Sequence, residues 1–88
     1  MKLFKSVDER FEELGFKKTY ESKIVITYEK KIEEYNYIHS IEICKKSNGN
    51  NIVISGEKSV NKDGFNNAVG LTKQEMKLCI KKMREVGL

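Results

Sequence analysis

The chain has little of what most enzyme chemistry is built from. Among its 88 residues stand one histidine, His39, two cysteines, Cys44 and Cys79, and two arginines. A catalytic triad or a zinc centre would need that single imidazole to find all its partners elsewhere. The cysteines form no CxxC pair and are too few for a disulfide framework. There is no Walker A run and no G-x-G-x-x-G; the glycines fall where turns and helix ends belong. No apolar run approaches the ~18 residues that cross a bilayer. The opening stretch MKLFKSVDERFEEL has no apolar signal core. These absences point away from an enzyme, a metal or cofactor site and a membrane span, and toward a cytoplasmic binding protein.

The scarcity of arginine also bears on the net charge of +4. Lysine supplies most of the positive charge. Lys, Ile and Asn are all frequent, and all have A/T-rich codons, so the basic drift needs no selection for phosphate binding. Proteins that read bases lean on the bidentate fork of arginine.

With 88 residues there is room for one domain, 1–88, with a thin core. Ser6-Val-Asp-Glu9 is a capping box that opens a first helix, and Val7, Phe11 and Leu14 make its apolar stripe. Gly15 stands where a helix stop takes positive φ, and Phe16 can fold back on the last turn. Period-two alternation then predicts strands over Ile24–Glu29, Tyr37–Cys44 and Ile52–Ser55, with an early start to the first from Phe16 to Tyr20. Ser47-Asn-Gly-Asn50 is a hairpin signal, and 57–70 reads as a long, partly ordered loop or a short edge strand. Thr72-x-x-Glu75 is a second capping box, with Leu71 and Met76 as a hydrophobic staple. The spacing puts Met76, Cys79, Ile80, Met83 and Val86 on one apolar face. Gly87 and Leu88 then repeat the first helix's ending, so FEELGF and MREVGL are the same helix stop used twice.

The expected fold is therefore α+β: an α-β-β-β-α two-layer sandwich. Its antiparallel meander has three or four strands, and both helices lie on one face. Ile24, Ile26, Tyr28, Ile41, Ile43, Ile52 and Ile54 are expected beneath the helices. Val25, Thr27, Ile38, Ser40, Glu42, Val53 and Ser55 are expected on the opposite, mixed face.

The segments ERFEELGFKK, ITYEKK and LTKQEMKLCIKKMREVGL resemble a group of small uncharacterised proteins of bacteriophages and prophages of Gram-positive bacteria. Those open with a short helix ending in E-L-G-aromatic and close with a T-x-Q-E helix ending in E-x-G. Thr72, Gln74, Glu75, Met76, Lys81, Glu85 and Gly87 match that ending, with Leu88 where tryptophan is usual and Leu78-Cys79 in place of Ala-Ile. The resemblance implies a phage or prophage origin and says nothing about a catalytic residue.

His39 reads as a structural, hydrogen-bonded residue. It lies too far along its strand from Cys44, and on the opposite face, to activate it. Asp8, Glu9, Glu12 and Glu13 read as ordinary carboxylates near a helix N-terminus. Two classes of function remain. The first is a non-enzymatic protein that binds a host or phage protein, or itself as a homodimer, with Val25, Ile38, Val53 and Leu78 as interface candidates. Tyr20, Tyr35 and Tyr37 read as interface anchors or, as the weaker option, base-stacking groups. The second is nucleic-acid binding through Lys73, Lys77, Lys81 and Arg84, which fall on one side of the last helix. The same stripe reads equally as a solvated flank.

Overall fold

Ser6 starts the first element as its sequence demands. Its hydroxyl accepts from the Glu9 N–H at 3.1 Å, and the Glu9 carboxylate accepts from the Ser6 N–H at 3.2 Å. Helix α1, Val7–Glu13, follows. Gly15 stops it with φ of +94°. The Gly15 N–H donates to the Glu12 carbonyl and the Phe16 N–H to the Phe11 carbonyl, both at 2.9 Å. That pair of bonds satisfies the last-turn carbonyls and folds Phe16 into the core.

This computed structural model describes residues 5–46, 49–59 and 67–87, with Asn67 as backbone alone. After α1 come β1 (Lys17–Glu21), β2 (Val25–Ile32), β3 (Tyr37–Cys44), β4 (Ile52–Ser59), β5 (Asn67–Ala68) and helix α2 (Lys73–Glu85). The strands lie in sheet order β1-β2-β3-β4-β5, each pair antiparallel. The α+β meander is thus the fold, with four strands before β5 where alternation predicts three. Phe16 to Tyr20 does not lengthen β2; the segment from Lys17 is a strand of its own. Ser22 makes the turn between them, its hydroxyl accepting from the Ile24 and Val25 N–H groups at 3.2 and 3.1 Å. A register shift between Lys18 and Tyr20 bends β1 where it meets β2.

Both helices cover one face. The buried core joins Val7 and Phe11 of α1, Phe16, Ile26 and Tyr28, Ile41 and Ile43, and Leu78 and Cys79 of α2. Phe11 stacks on Tyr28 with ring centroids 4.0 Å apart and meets Phe16 edge-on at 6.0 Å.

Two expected orientations are corrected. Along β4, Ile43 lies opposite Val53, Ile41 opposite Ser55 and Cys44 opposite Ile52. Directly opposed residues share a face. Val53 and Ser55 therefore point inward, where Val53 packs on the core, while Ile52 and Ile54 point outward. Ile24, just before β2, is also exposed rather than core.

Helix α2 is rotated from its expected face. Its buried residues are Glu75, Leu78, Cys79 and Lys82, whereas Met76, Ile80 and Val86 are 46%, 50% and 39% exposed. Leu78, expected outside, is core. Lys82 can be buried because its ammonium meets Asp8 at 3.2 Å and Glu85 at 3.1 Å. Both capping boxes and both glycines with positive φ stand as read: the Thr72–Glu75 box is closed at both bonds, and Gly87 has φ of +76°. Ser47 and Asn48 of the hairpin, residues 60–66 of the long connection and Leu88 lie outside the described residues.

Candidate functional site

Three places on this fold carry enough chemistry to be weighed. The first is a charged network between the layers. The Tyr28 hydroxyl donates to Asp8 at 2.5 Å. Lys18 reaches the other Asp8 oxygen at 3.1 Å and Glu21 at 2.6 Å, while Lys82 bridges Asp8 and Glu85. Burial alone would raise the Asp8 carboxyl, but hydrogen bonds from Tyr28, Lys18 and Lys82 outweigh it and hold its pKa below the ordinary value. Burial, then the bond to Asp8, push the Tyr28 phenol far up, so it remains a donor. Each cation here has carboxylate partners. The network ties α1, β1, β2 and α2 together, which is a structural task.

The second place is His39. Its Nε2 lies 2.8 Å from the Ser55 hydroxyl, and its ring meets Phe16 edge-on at 5.1 Å. Burial draws its pKa below the ordinary value despite the nearby Glu75 carboxylate. The structural reading of His39 fits this geometry. Its partner Ser55 was missed because β4 was read with the wrong face inward. Cys44 lies on the other face of the sheet, half-buried, and Cys79 is buried, its thiol pushed up to about 11 by burial and Glu75. Among the described residues, no group of three His, Cys, Asp or Glu is placed to hold a metal ion. Among them, too, no helix is long and apolar enough to cross a membrane.

No protein-family model, curated protein or solved structure matches this chain. The reading of its surfaces therefore rests on geometry.

The third place is the pair of surfaces that the sequence singled out. On the outer sheet face, with no described helix over it, side chains fall in rows across the strands. Val25, Cys44 and Ile52 form one row. Tyr20, Thr27, Glu42 and Ile54 form the next, with Tyr20 57% exposed and Ile54 37%. Then come Glu29, Ser40 and Gly56, and finally Lys31, Ile38 and Lys58. Glu29 and Lys58 pair at 2.9 Å across the last two rows. Val25 and Ile38 are thus on the expected face but do not share a patch. They are separated by ~20 Å at ~3.3 Å per residue. The other two interface candidates, Val53 and Leu78, belong to the core side. In their place stand Tyr20, Ile52 and Ile54.

On α2, Lys73, Lys77, Lys81 and Arg84 are all exposed. None has an ion-pair partner among the described residues, unlike Lys82. Beside them, on the flank away from α1, are the exposed Met76 and Ile80. On the α1 side lies a groove of about 230 Å³, lined by Arg10, Glu13, Leu14, Gln74, Lys77, Leu78 and Lys81. Of the three expected tyrosine anchors, Tyr20 and Tyr35 are exposed and Tyr37 is half-buried.

Proposed function

We propose that this chain is a small non-enzymatic binding protein that engages a partner protein through the outer face of its sheet. One observation carries this reading. Apart from Ile38, the apolar residues of that face are gathered at one end, in the rows Val25-Cys44-Ile52 and Tyr20-Thr27-Glu42-Ile54, and no described element covers them. Interface centres are enriched in aliphatic and aromatic side chains and poor in charge, with polar residues at the rim. Here Tyr20 is the aromatic anchor, and Glu29, Lys31 and Lys58 form the polar side. The resemblance to phage and prophage proteins supports a host or phage protein as the partner, in the cytoplasm. A second copy of the chain is the other candidate for the same patch.

The test is a tagged pull-down from lysate of the natural host, with and without nuclease. Wild type is compared with the Val25→Lys/Ile54→Lys variant. The reading expects one stoichiometric protein that survives nuclease and is lost with the variant. Capture that is unchanged by the variant, or that vanishes with nuclease, overturns it. The mass in solution across concentration separates the homodimer from a foreign partner.

A further inference from the structure

We infer that the groove between α1 and α2 is a docking site for an acidic amphipathic helix of a partner protein. This surface is on the opposite side of the molecule from the sheet patch, so the inference stands apart from the function proposed above.

The groove has an apolar floor and basic walls. Leu14 and Leu78 line the bottom, Arg10 rises from α1, and Lys77 and Lys81 rise from α2. The one acid in its lining, Glu13, is already held by Lys5 at 2.9 Å. Gln74 supplies a neutral donor and acceptor at one end. One row further out on α2, Lys73 and Arg84 extend the positive wall, and Met76 and Ile80 lie beyond it. Among the described residues, Arg10 and these four α2 cations have no carboxylate partner. The same helix shows what pairing looks like when it is present: Lys82 has two carboxylates within 3.2 Å.

The class of anion follows from what lies between the charges. A phosphate backbone needs cations alone, and a base-reading surface leans on arginine. Neither has a use for Leu14 and Leu78 at the bottom. A helix that offers leucines on one face and glutamates at its edges uses both the leucines and the cations of the groove. Its apolar side chain enters a groove of about 230 Å³, and its carboxylates reach the cations on both walls. That is the helix-in-groove mode of recognition, with anchors one helical turn apart.

The probe is a fluorescein-labelled synthetic helix with leucines on one face and glutamates along both edges. Two controls have the same charge: a scrambled peptide of identical composition and a single-stranded DNA oligonucleotide. Anisotropy gives affinity, and amide chemical shifts on the labelled full chain give location. The designed helix should bind saturably and about tenfold or more tighter than either control, a difference of ~1.4 kcal/mol. Shifts should centre on Arg10, Leu14, Gln74, Lys77, Leu78 and Lys81. Lys77→Glu/Lys81→Glu should abolish this binding, and Arg10→Glu, on the other wall, should weaken it separately. These positions are exposed, so the variants keep the fold, which circular dichroism checks. Equal or tighter binding of the oligonucleotide or the scrambled peptide overturns the proposal, as do shifts confined to the sheet patch or no saturable binding. Lysate capture by Lys77→Glu/Lys81→Glu reports the sheet-patch function independently, so the two proposals can fail separately.

Discussion

Removing Asp8 should cost far more stability than removing Lys82, although the two are partners. In Asp8→Ala, the ammonium of Lys82, only 4% exposed, keeps Glu85 alone. Tyr28, fully buried, loses the acceptor of its hydroxyl. An orphaned buried hydroxyl costs about 1–3 kcal/mol. Breaking a buried ion pair costs about 3–5 kcal/mol when both charges are shielded. The Asp8 side chain is 30% exposed, so that second cost must be discounted for solvent screening. The expected loss is about 2–4 kcal/mol, which is roughly 10–25 °C in Tm for a domain of this size. In Lys82→Met, Asp8 still has Lys18 and the Tyr28 hydroxyl, and the thioether fills the stem's place. The expected loss is under ~1.5 kcal/mol. Urea unfolding followed by circular dichroism measures both at neutral pH. The sign with pH is also set. The folded pKa of Asp8 lies below its unfolded value of 3.8, so its contribution is present above that value and is lost as pH falls through the folded one. The gap between wild type and Asp8→Ala should therefore close in acid. Equal losses in the two variants, or a gap that persists at low pH, would refute this account of the network.

Val53→Asp and Ile54→Asp are neighbours on one strand with opposite outcomes: the first puts a carboxylate against the core and should cost about 2–4 kcal/mol, the second about 0.5 kcal/mol or less. Thermal unfolding of the pair tests the β4 register directly. Because burial lowers the His39 pKa from 6.5, the unfolded chain takes up the proton first; stability should fall as pH drops below about 6.5 and level off once the folded imidazole titrates. His39→Gln should flatten that part of the urea-midpoint profile. Gly15→Ala should cost about 1–2 kcal/mol for its positive φ. It also sets a methyl 2.8 Å from Lys30 Cδ, so Gly87→Ala, with open space around it, should cost less.

What could be read from the sequence was what depends on neighbours along the chain. Both capping boxes and both glycine stops are local bonds among residues within five positions, and all were legible. The α+β meander was legible for the same reason, since alternation needs no knowledge of the partner strand. The errors concern facing. A two-residue Asn48-Gly49 turn would set Ile43 opposite Ile54; the observed register sets it opposite Val53. One residue of slip turns every side chain of a strand over. Both sets on β4 hold apolar residues, so composition could not arbitrate. On α2, hydrophobicity favoured Met76 and Ile80, while the true face includes Glu75 and Lys82. Those two are buried through bonds, Glu75 to the Thr72 N–H and Lys82 to Asp8. The partner of Lys82 is 74 positions away in the chain, beyond the reach of any periodicity.

The same limit explains why the two proposed interaction surfaces were only partly visible, and why they differ from what strand and helix propensity alone would give. A strand residue facing water is well served by threonine or by charge, and this sheet does that at its far end with Glu29, Lys31 and Lys58. The near end instead sets Val25, Cys44 and Ile52 side by side without a polar residue among them. β-propensity favours branched side chains on both faces of a sheet, but it acts position by position and would scatter them along the face. Here all but Ile38 are gathered into adjacent rows with Tyr20. Likewise, a helix that had only to cover the core would place its apolar residues inward. Helix α2 turns Met76 and Ile80 outward and buries a lysine instead, and beside them stand four cations with no ion-pair partner among the described residues. The described residues hold two helices to cover five strands, and both are committed to one face. The apolar surface that remains is clustered and, on the helix side, bordered by charge of one sign, which is the arrangement that favours a partner over water.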